Sequence, residues 1–209
     1  MIRTYTLLSV LLSLSSAGFT PVNAASAPAP NSAATKAAAP KGSAADKKAA
    51  ADKLKATAGA QNLATFGDWG AYLGASGSSK VCFVLSQPKE RLPKGLTRDP
   101  AYIFISFRPG QGVKNEIAVT TGFALKPGSE PSAAIGANNF GMIAKDKNAF
   151  LRNAAEESQF VDVAKRFELA KRGTALTVKS QSLRGNENTD RYSLNGFGQA
   201  LDRAIKECM

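Results

Sequence analysis

KVCFVLSQ, residues 80–87, is the stretch on which the fold turns. Its centre, Val81-Cys82-Phe83-Val84-Leu85, is continuously apolar and rich in β-branched and aromatic side chains, the pattern of a strand at the centre of a sheet. Working outward, residues 66–73, 101–107 (AYIFISF) and 115–123 (NEIAVTTGF) have the same composition, bounded by Gly, Pro, Ser and Asn clusters, and read as further strands. The glycine-rich stretches 74–79 (GASGSS) and 108–112 (RPGQG) suit tight antiparallel connections. Pro88, Pro93 and Pro100 make 88–100 too proline-dense for an inner strand, so it reads as a loop.

After strands expected at 133–135 and 140–144 the period changes. Phe160, Val163, Ala164 and Phe167 fall at i, i+3, i+4 and i+7, with Asn153 and Glu156 placed as a capping box, which predicts a short amphipathic helix. Strands resume at 174–182 and 189–194 around a turn at 184–188. A last helix over 196–208 puts Phe197, Leu201, Ala204, Ile205 and Cys208 on one face. The expected fold is therefore mainly antiparallel β, with one short internal helix and a C-terminal helix.

The ends of the chain differ from this domain. Residues 1–24 read as an export signal: Arg3 gives the positive start, Leu7, Leu8, Val10, Leu11, Leu12 and Leu14 the short apolar core, and Val22-Asn23-Ala24 the small-residue cleavage site. No run approaches the roughly 20 apolar residues of a membrane helix, so no transmembrane span is expected in the mature chain. Residues 25–62 form an Ala/Pro/Lys-rich tail, in which Leu54 is the sole large apolar side chain before residue 61 and residues 44–56 (AADKKAAADKLKA) have high helix propensity. Such a stretch cannot bury enough surface to offset its ordering entropy, and it is expected to be disordered. Residues 63–209 suffice for one domain with a sizeable core.

Composition restricts the chemistry. The 209 residues include no histidine, which removes His-based triads, imidazole-ligated zinc and histidine-ligated haem, and two cysteines cannot build a Cys-only structural zinc site. A formal charge of +11 would ordinarily suggest nucleic acid. Export argues against that partner and favours anionic lipid or polysaccharide, and six lysines against two aspartates place +4 of the charge in the tail. Cys208 lies on the apolar face of the last helix and Cys82 in the most apolar strand. In an oxidising compartment such a pair points to a disulfide pinning the helix to the sheet, worth roughly 4 to 5 kcal/mol on the chain-entropy model. A reactive thiol would need an activating neighbour, and no CxxC motif or helix N-terminus supplies one.

Three groups stand out as candidate sites. Asp68-Trp69 suits either a surface ligand platform or a core tryptophan, the latter favoured in a chain with a single Trp. Lys165, Arg166, Lys171 and Arg172 cluster at the end of the internal helix, where they complement its dipole or, with the tail lysines, form an anion- or partner-binding face. Arg184, Gly185 and Asp190 suggest a surface loop comparable to an adhesion motif, although a hairpin turn tied by Arg184 and Asp190 is the more economical reading. No serine and lysine are marked as a catalytic pair, and Glu156-Glu157 serves the first turn of a helix, so no catalytic residue, metal or cofactor is expected.

Several segments in order resemble the invasion-associated locus B family of alphaproteobacteria. They are Phe66-Gly67-Asp68-Trp69, Val81 to Gln87, Ala134-Ile135-Gly136, Asn148-Ala149-Phe150-Leu151, Leu176-Thr177-Val178-Lys179, Ser182-Leu183-Arg184-Gly185, Asp190 to Phe197, and the terminal Ala200-Leu201 and Cys208. The resemblance implies an immunoglobulin-like antiparallel β-sandwich in an exported cell-envelope protein, involved in pathogenic members in host-cell entry. It brings no catalytic residue and no cofactor. Many members carry a cysteine shortly after the tryptophan, where this chain has Tyr72 and Leu73, and the Ala/Pro/Lys tail is a second departure.

The function expected from the sequence is a non-enzymatic, exported protein, periplasmic, outer-membrane associated or secreted, that meets a cell-envelope component or a host surface protein. The alternatives are a periplasmic accessory protein whose basic tail contacts peptidoglycan or anionic lipid and, more remotely, an uncharacterised hydrolase.

Overall fold

The computed structural model describes residues 59–76, 79–170 and 175–209. The expected signal and most of the expected tail lie outside the described residues. Among the described residues, eleven strands and two α-helices follow in the order β1 (Gln61–Phe66), β2 (Trp69–Ser76), β3 (Ser79–Ser86), β4 (Glu90–Leu92), β5 (Tyr102–Arg108), β6 (Val113–Thr120), β7 (Ser132–Ile135), β8 (Asn138–Lys145), β9 (Asn148–Leu151), α1 (Ala154–Leu169), β10 (Ala175–Gln181), β11 (Glu187–Ser193) and α2 (Phe197–Cys208).

Every strand pair is antiparallel, and the spatial order is β1-β2-β3-β5-β6-β9-β8-β7-β10-β11-β4. The sheet is not closed: β1 and β4 are its two edges. Because β8 pairs with β9 on one side and β7 on the other, it joins two halves. Side chains from both halves and both helices share one core, including Trp69, Cys82, Val84, Ile103 and Ile105 from the first half, Ile135, Leu176, Val178 and Tyr192 from the second, and Phe160, Phe197 and Leu201 from the helices. The expectation of a mainly antiparallel, sandwich-like fold with a mid-chain and a C-terminal helix is met.

The continuous apolarity of β3 has a direct cause in strand geometry. Successive side chains point to opposite faces. Cys82 and Val84 enter the main core, while Leu85 joins Tyr72 and Tyr102 in a second cluster on the other face, with Phe83 packed against it. Both faces are covered, so neither parity can be polar. Strand β5 repeats this, with Ile103, Ile105 and Phe107 in the main core and Tyr102 and Phe104 in the second cluster.

Three local expectations change. Residues 66–73 form two strands, not one, because the chain reverses at Gly67 and Asp68, where the Asp68 amide donates to the Asn195 carbonyl at 3.0 Å. The 88–100 segment contains β4, a three-residue edge strand that stops before Pro93, in keeping with the confinement of proline to edges. Residues 148–151, for which the sequence suggested no element, form β9, whose alternation of buried and half-buried side chains spans only four residues. Asn153 caps α1 as its spacing predicts: its side chain accepts from the amides of Ala155 and Glu156 at 3.1 and 3.0 Å, and its amide group donates to Glu156 Oε1 at 3.2 Å.

The start of α2 depends on one glycine. Gly196 caps the helix at φ 86°, in the left-handed region, and a β-carbon there would collide with the backbone of Phe66 and Gly67. Gly185 has the same φ of 86° but open space around it. Gly185→Ala should therefore cost about 1 kcal/mol and Gly196→Ala about 3 kcal/mol or more, since strain and collision combine. Chemical denaturation of the two variants checks this, and equal costs would contradict the close approach of the β1–β2 turn to α2.

Candidate functional site

Helix α2 is held at both ends. At its C-terminus Cys208 is disulfide-bonded to Cys82 of β3, across 126 residues of sequence and a Cα–Cα distance of 5.9 Å. The expected pairing is present. At its N-terminus the Glu168 carboxylate, from α1, accepts from the amides of Gly196 and Gly198 at 2.8 and 2.6 Å. A carboxylate there both satisfies amides that lack intrahelical partners and complements the helix dipole. Gly198 leaves room for it, since a β-carbon would press on the Glu168 carboxylate at 2.8 Å.

Trp69 completes this seat. It is fully buried, its indole N–H donates to the Ser193 carbonyl at 2.8 Å, and its ring meets Phe197 edge-on with centroids 4.9 Å apart. Trp69 is thus a core side chain and not a surface platform. Its neighbour Asp68 pairs with Lys89.

The expected basic face is reduced by an internal contact. The Lys165 ammonium donates to Asp202 Oδ1 at 2.7 Å, tying α1 to α2. Arg166 is exposed and bonds the Asp162 carbonyl one turn earlier in its own helix, at 3.3 Å. Lys171 and Arg172 lie outside the described residues. Of the four positions, the described pair consists of one cation already neutralised and one lying along its own helix.

The expected loop of Arg184, Gly185 and Asp190 also separates. Arg184 and Gly185 are exposed in the β10–β11 turn, whereas Asp190 is 3% exposed within β11. Asp190 does not tie the turn to Arg184. Burial alternates along β11, and Asn188, Asp190 and Tyr192 all fall on its buried face. There Asp190 Oδ1 accepts from Arg91 Nε at 3.0 Å, with Arg98 Nη1 at 4.0 Å.

The two guanidiniums gather carbonyls as well as the carboxylate. Arg91 donates to the carbonyls of Asp99 and Thr121 at 2.7 and 2.6 Å, and Arg98 to those of Leu92 and Pro93 and to Asn188 Oδ1. The cluster binds the 88–100 segment to the sheet. Burial outweighs the attraction of Arg91 and Arg98 and raises the Asp190 carboxyl above its ordinary value. Burial and the neighbouring Arg91 lower Arg98. Burial, reinforced by the Asp190 charge, carries Tyr192 well above the phenol range.

Arg91, Arg98 and Glu168 were not singled out from the sequence. Their partners lie 99, 92 and about 30 positions away, so no local spacing signals them. Among the described residues, no group of three or more His, Cys, Asp or Glu side chains could hold a metal ion. No helix among them is long and apolar enough to cross a membrane.

The chain matches no family model and no curated protein. One solved structure is similar. It is invasion associated protein B from Bartonella henselae, at 15% identity and a TM-score of 0.45, with 69% of this chain and 95% of that chain covered. A likeness at that level does not establish membership of a family.

The Asp190 cluster makes a prediction with a defined sign. Asp190→Ala removes the acceptor and leaves two guanidiniums short of a partner, at a cost of about 3 kcal/mol. Asp190→Asn keeps an oxygen acceptor and removes the buried charge, and should cost much less. Since the folded carboxyl is raised, the native state takes up its proton at a higher pH than the unfolded chain does. The stability that Asp190 contributes is therefore full below the unfolded value and falls as pH rises through the folded one. Denaturation measured against pH should show the wild-type advantage over Asp190→Asn shrinking as pH rises; an advantage that grows instead would contradict the direction given.

Proposed function

We propose that this chain is an exported, non-enzymatic interaction protein of the cell envelope, of the kind that its sequence motifs resemble. The observation that carries the proposal is the Cys82–Cys208 disulfide. Cys82 is fully buried and Cys208 packs against the same core, so the bond is a structural staple, and a staple of this kind supports maturation where thiols oxidise. The export signal read in residues 1–24 supports the same compartment.

The polar groups that stand out in the domain have structural uses. Asp190, Arg91 and Arg98 hold a loop, Glu168 caps a helix, and Lys165 bridges two helices. These uses favour contact through a surface over chemistry in a cleft. Host-cell entry, the role of pathogenic members of the family resembled, is the specific form of this reading at a host surface.

One observation favours a second form. With Lys165, Lys89, Arg91 and Arg108 each engaged by a carboxylate, the densest excess of lysine lies in residues 25–62, with six lysines and two aspartates. A tail of that charge suits peptidoglycan or anionic lipid.

Fractionation of cells producing the full chain tests the proposal. The mature protein should begin at Ala25 and appear in the periplasm, at the cell surface or in the medium, and recovery of uncleaved protein in the cytoplasm would overturn it. Sedimentation with peptidoglycan, and with vesicles containing an anionic lipid, separates the two forms. Binding that disappears when the six tail lysines are replaced by glutamine supports the tail reading; binding that persists assigns the contact to the domain.

A further inference from the structure

The chain contains a single Asn-Gly pair, Asn195-Gly196, and it stands directly before α2. An asparagine followed by glycine is prone to deamidation, because no β-carbon shields the following amide nitrogen. That nitrogen attacks the asparagine Cγ. The new N–Cγ bond closes a five-membered succinimide as the Cγ–Nδ2 bond breaks, and ammonia leaves with the proton that the amide gives up. Water then opens the ring. Addition at Cγ gives aspartate; addition at the main-chain carbonyl gives isoaspartate, whose backbone runs through the side chain and is longer by one carbon.

Asn195 is exposed, so water reaches it. Its peptide bond to Gly196 is nevertheless held on both sides. The Asn195 carbonyl accepts from the Asp68 amide at 3.0 Å, and the Gly196 amide donates to Glu168 Oε1 at 2.8 Å. Glu168 is itself fixed, because its Oε2 accepts from the Gly198 amide at 2.6 Å. The Asn195 side chain rests over Gly67, where a β-carbon would come within 2.9 Å of Asn195 Cγ. Ring closure needs the Gly196 nitrogen to eclipse Asn195 Cβ, outside the ψ ranges that an L residue ordinarily holds. Turning the peptide plane to that position breaks both hydrogen bonds together. The Glu168 carboxylate opposes the reaction a second way, since a negative neighbour disfavours loss of the amide proton.

We propose that Asn195 is a deamidation site, with water as the reactant, that the seating of α2 keeps closed and that opens when the start of the helix lifts. Loss of the Cys82–Cys208 bond favours that lifting, and local opening near Gly196 is enough to expose the pair. The product does not return to the seat. Its added backbone carbon displaces the carbonyl that Asp68 holds, and its new carboxylate stands beside the like charge of Glu168. Modification therefore makes the unseating of α2 irreversible and marks chains in which it has happened.

The test follows the peptide containing Asn195 by mass spectrometry in the mature full chain at mildly alkaline pH, with isoaspartyl methyltransferase labelling to identify the isomer. Oxidised, folded protein should deamidate there at least about tenfold more slowly than the same chain reduced in denaturant. Glu168→Ala removes the clamp and should speed the reaction of the folded protein about tenfold, the weight of one hydrogen bond to a charged group. Glu168→Gln keeps an oxygen acceptor, provides a second folded variant, and should fall between. The near-ultraviolet signal of Trp69 verifies that each variant is folded. Folded wild-type protein that deamidates as fast as the denatured chain overturns the proposal. So does a folded Glu168→Ala variant that reacts no faster than wild type; a slower one would give Glu168 the opposite part, as base for the Gly196 amide.

Discussion

The structure depends on the seating of α2 against the inner face of β2 and β3. This helix is the last described element, yet its partners β2 and β3 lie more than a hundred residues earlier, so its attachment ties the two ends of the described domain together. Three different interactions share the task. Apolar burial of Phe197, Ala200, Leu201 and Ala204 against Trp69 and the strand interior supplies the non-directional part. The Glu168 carboxylate fixes the start of the helix, and the Cys82–Cys208 bond fixes its end. Loss of the covalent link would leave the other two acting across a long loop, where chain entropy opposes closure.

Polar groups divide according to depth. Those inside the domain fasten segments that have little apolar surface of their own, as Arg91 and Arg98 do for the 88–100 stretch. A buried carboxylate between two guanidiniums is a costly fastener, and the raised Asp190 carboxyl shows that desolvation outweighs attraction there. Its use is geometric: it orients the two guanidiniums, which donate to backbone carbonyls of the 88–100 segment and of Thr121. Several domain cations are already engaged by carboxylates, and six lysines against two aspartates give residues 25–62 the higher density of net positive charge.

Much of the architecture could be read from residue patterns, for reasons visible in particular elements. The period change at Phe160 and the Asn153–Glu156 cap located α1 because both are local signals. The apolar stripe ending in Cys208, set beside the apolar strand holding Cys82, pointed to the disulfide, since two cysteines on buried faces have few other uses. Where reading failed, the deciding contact was distant. Residues 66–73 look like one strand until Asn195 is seen holding the Gly67–Asp68 turn. Asp190 looks like a turn residue until β11 is placed beside β4, whose three residues carry too little pattern to be seen alone. Ion pairs such as Lys165–Asp202 follow from helix packing and have no signature in spacing.

A covalent staple, Cys82–Cys208, holds α2 on the sheet. Peptide mapping by mass spectrometry under non-reducing conditions, on protein recovered from the cell envelope or medium, tests it most directly. The account predicts one disulfide-linked pair of peptides containing Cys82 and Cys208, with no alkylatable thiol until reductant and denaturant are added. Free thiols at both positions in freshly recovered protein would contradict it.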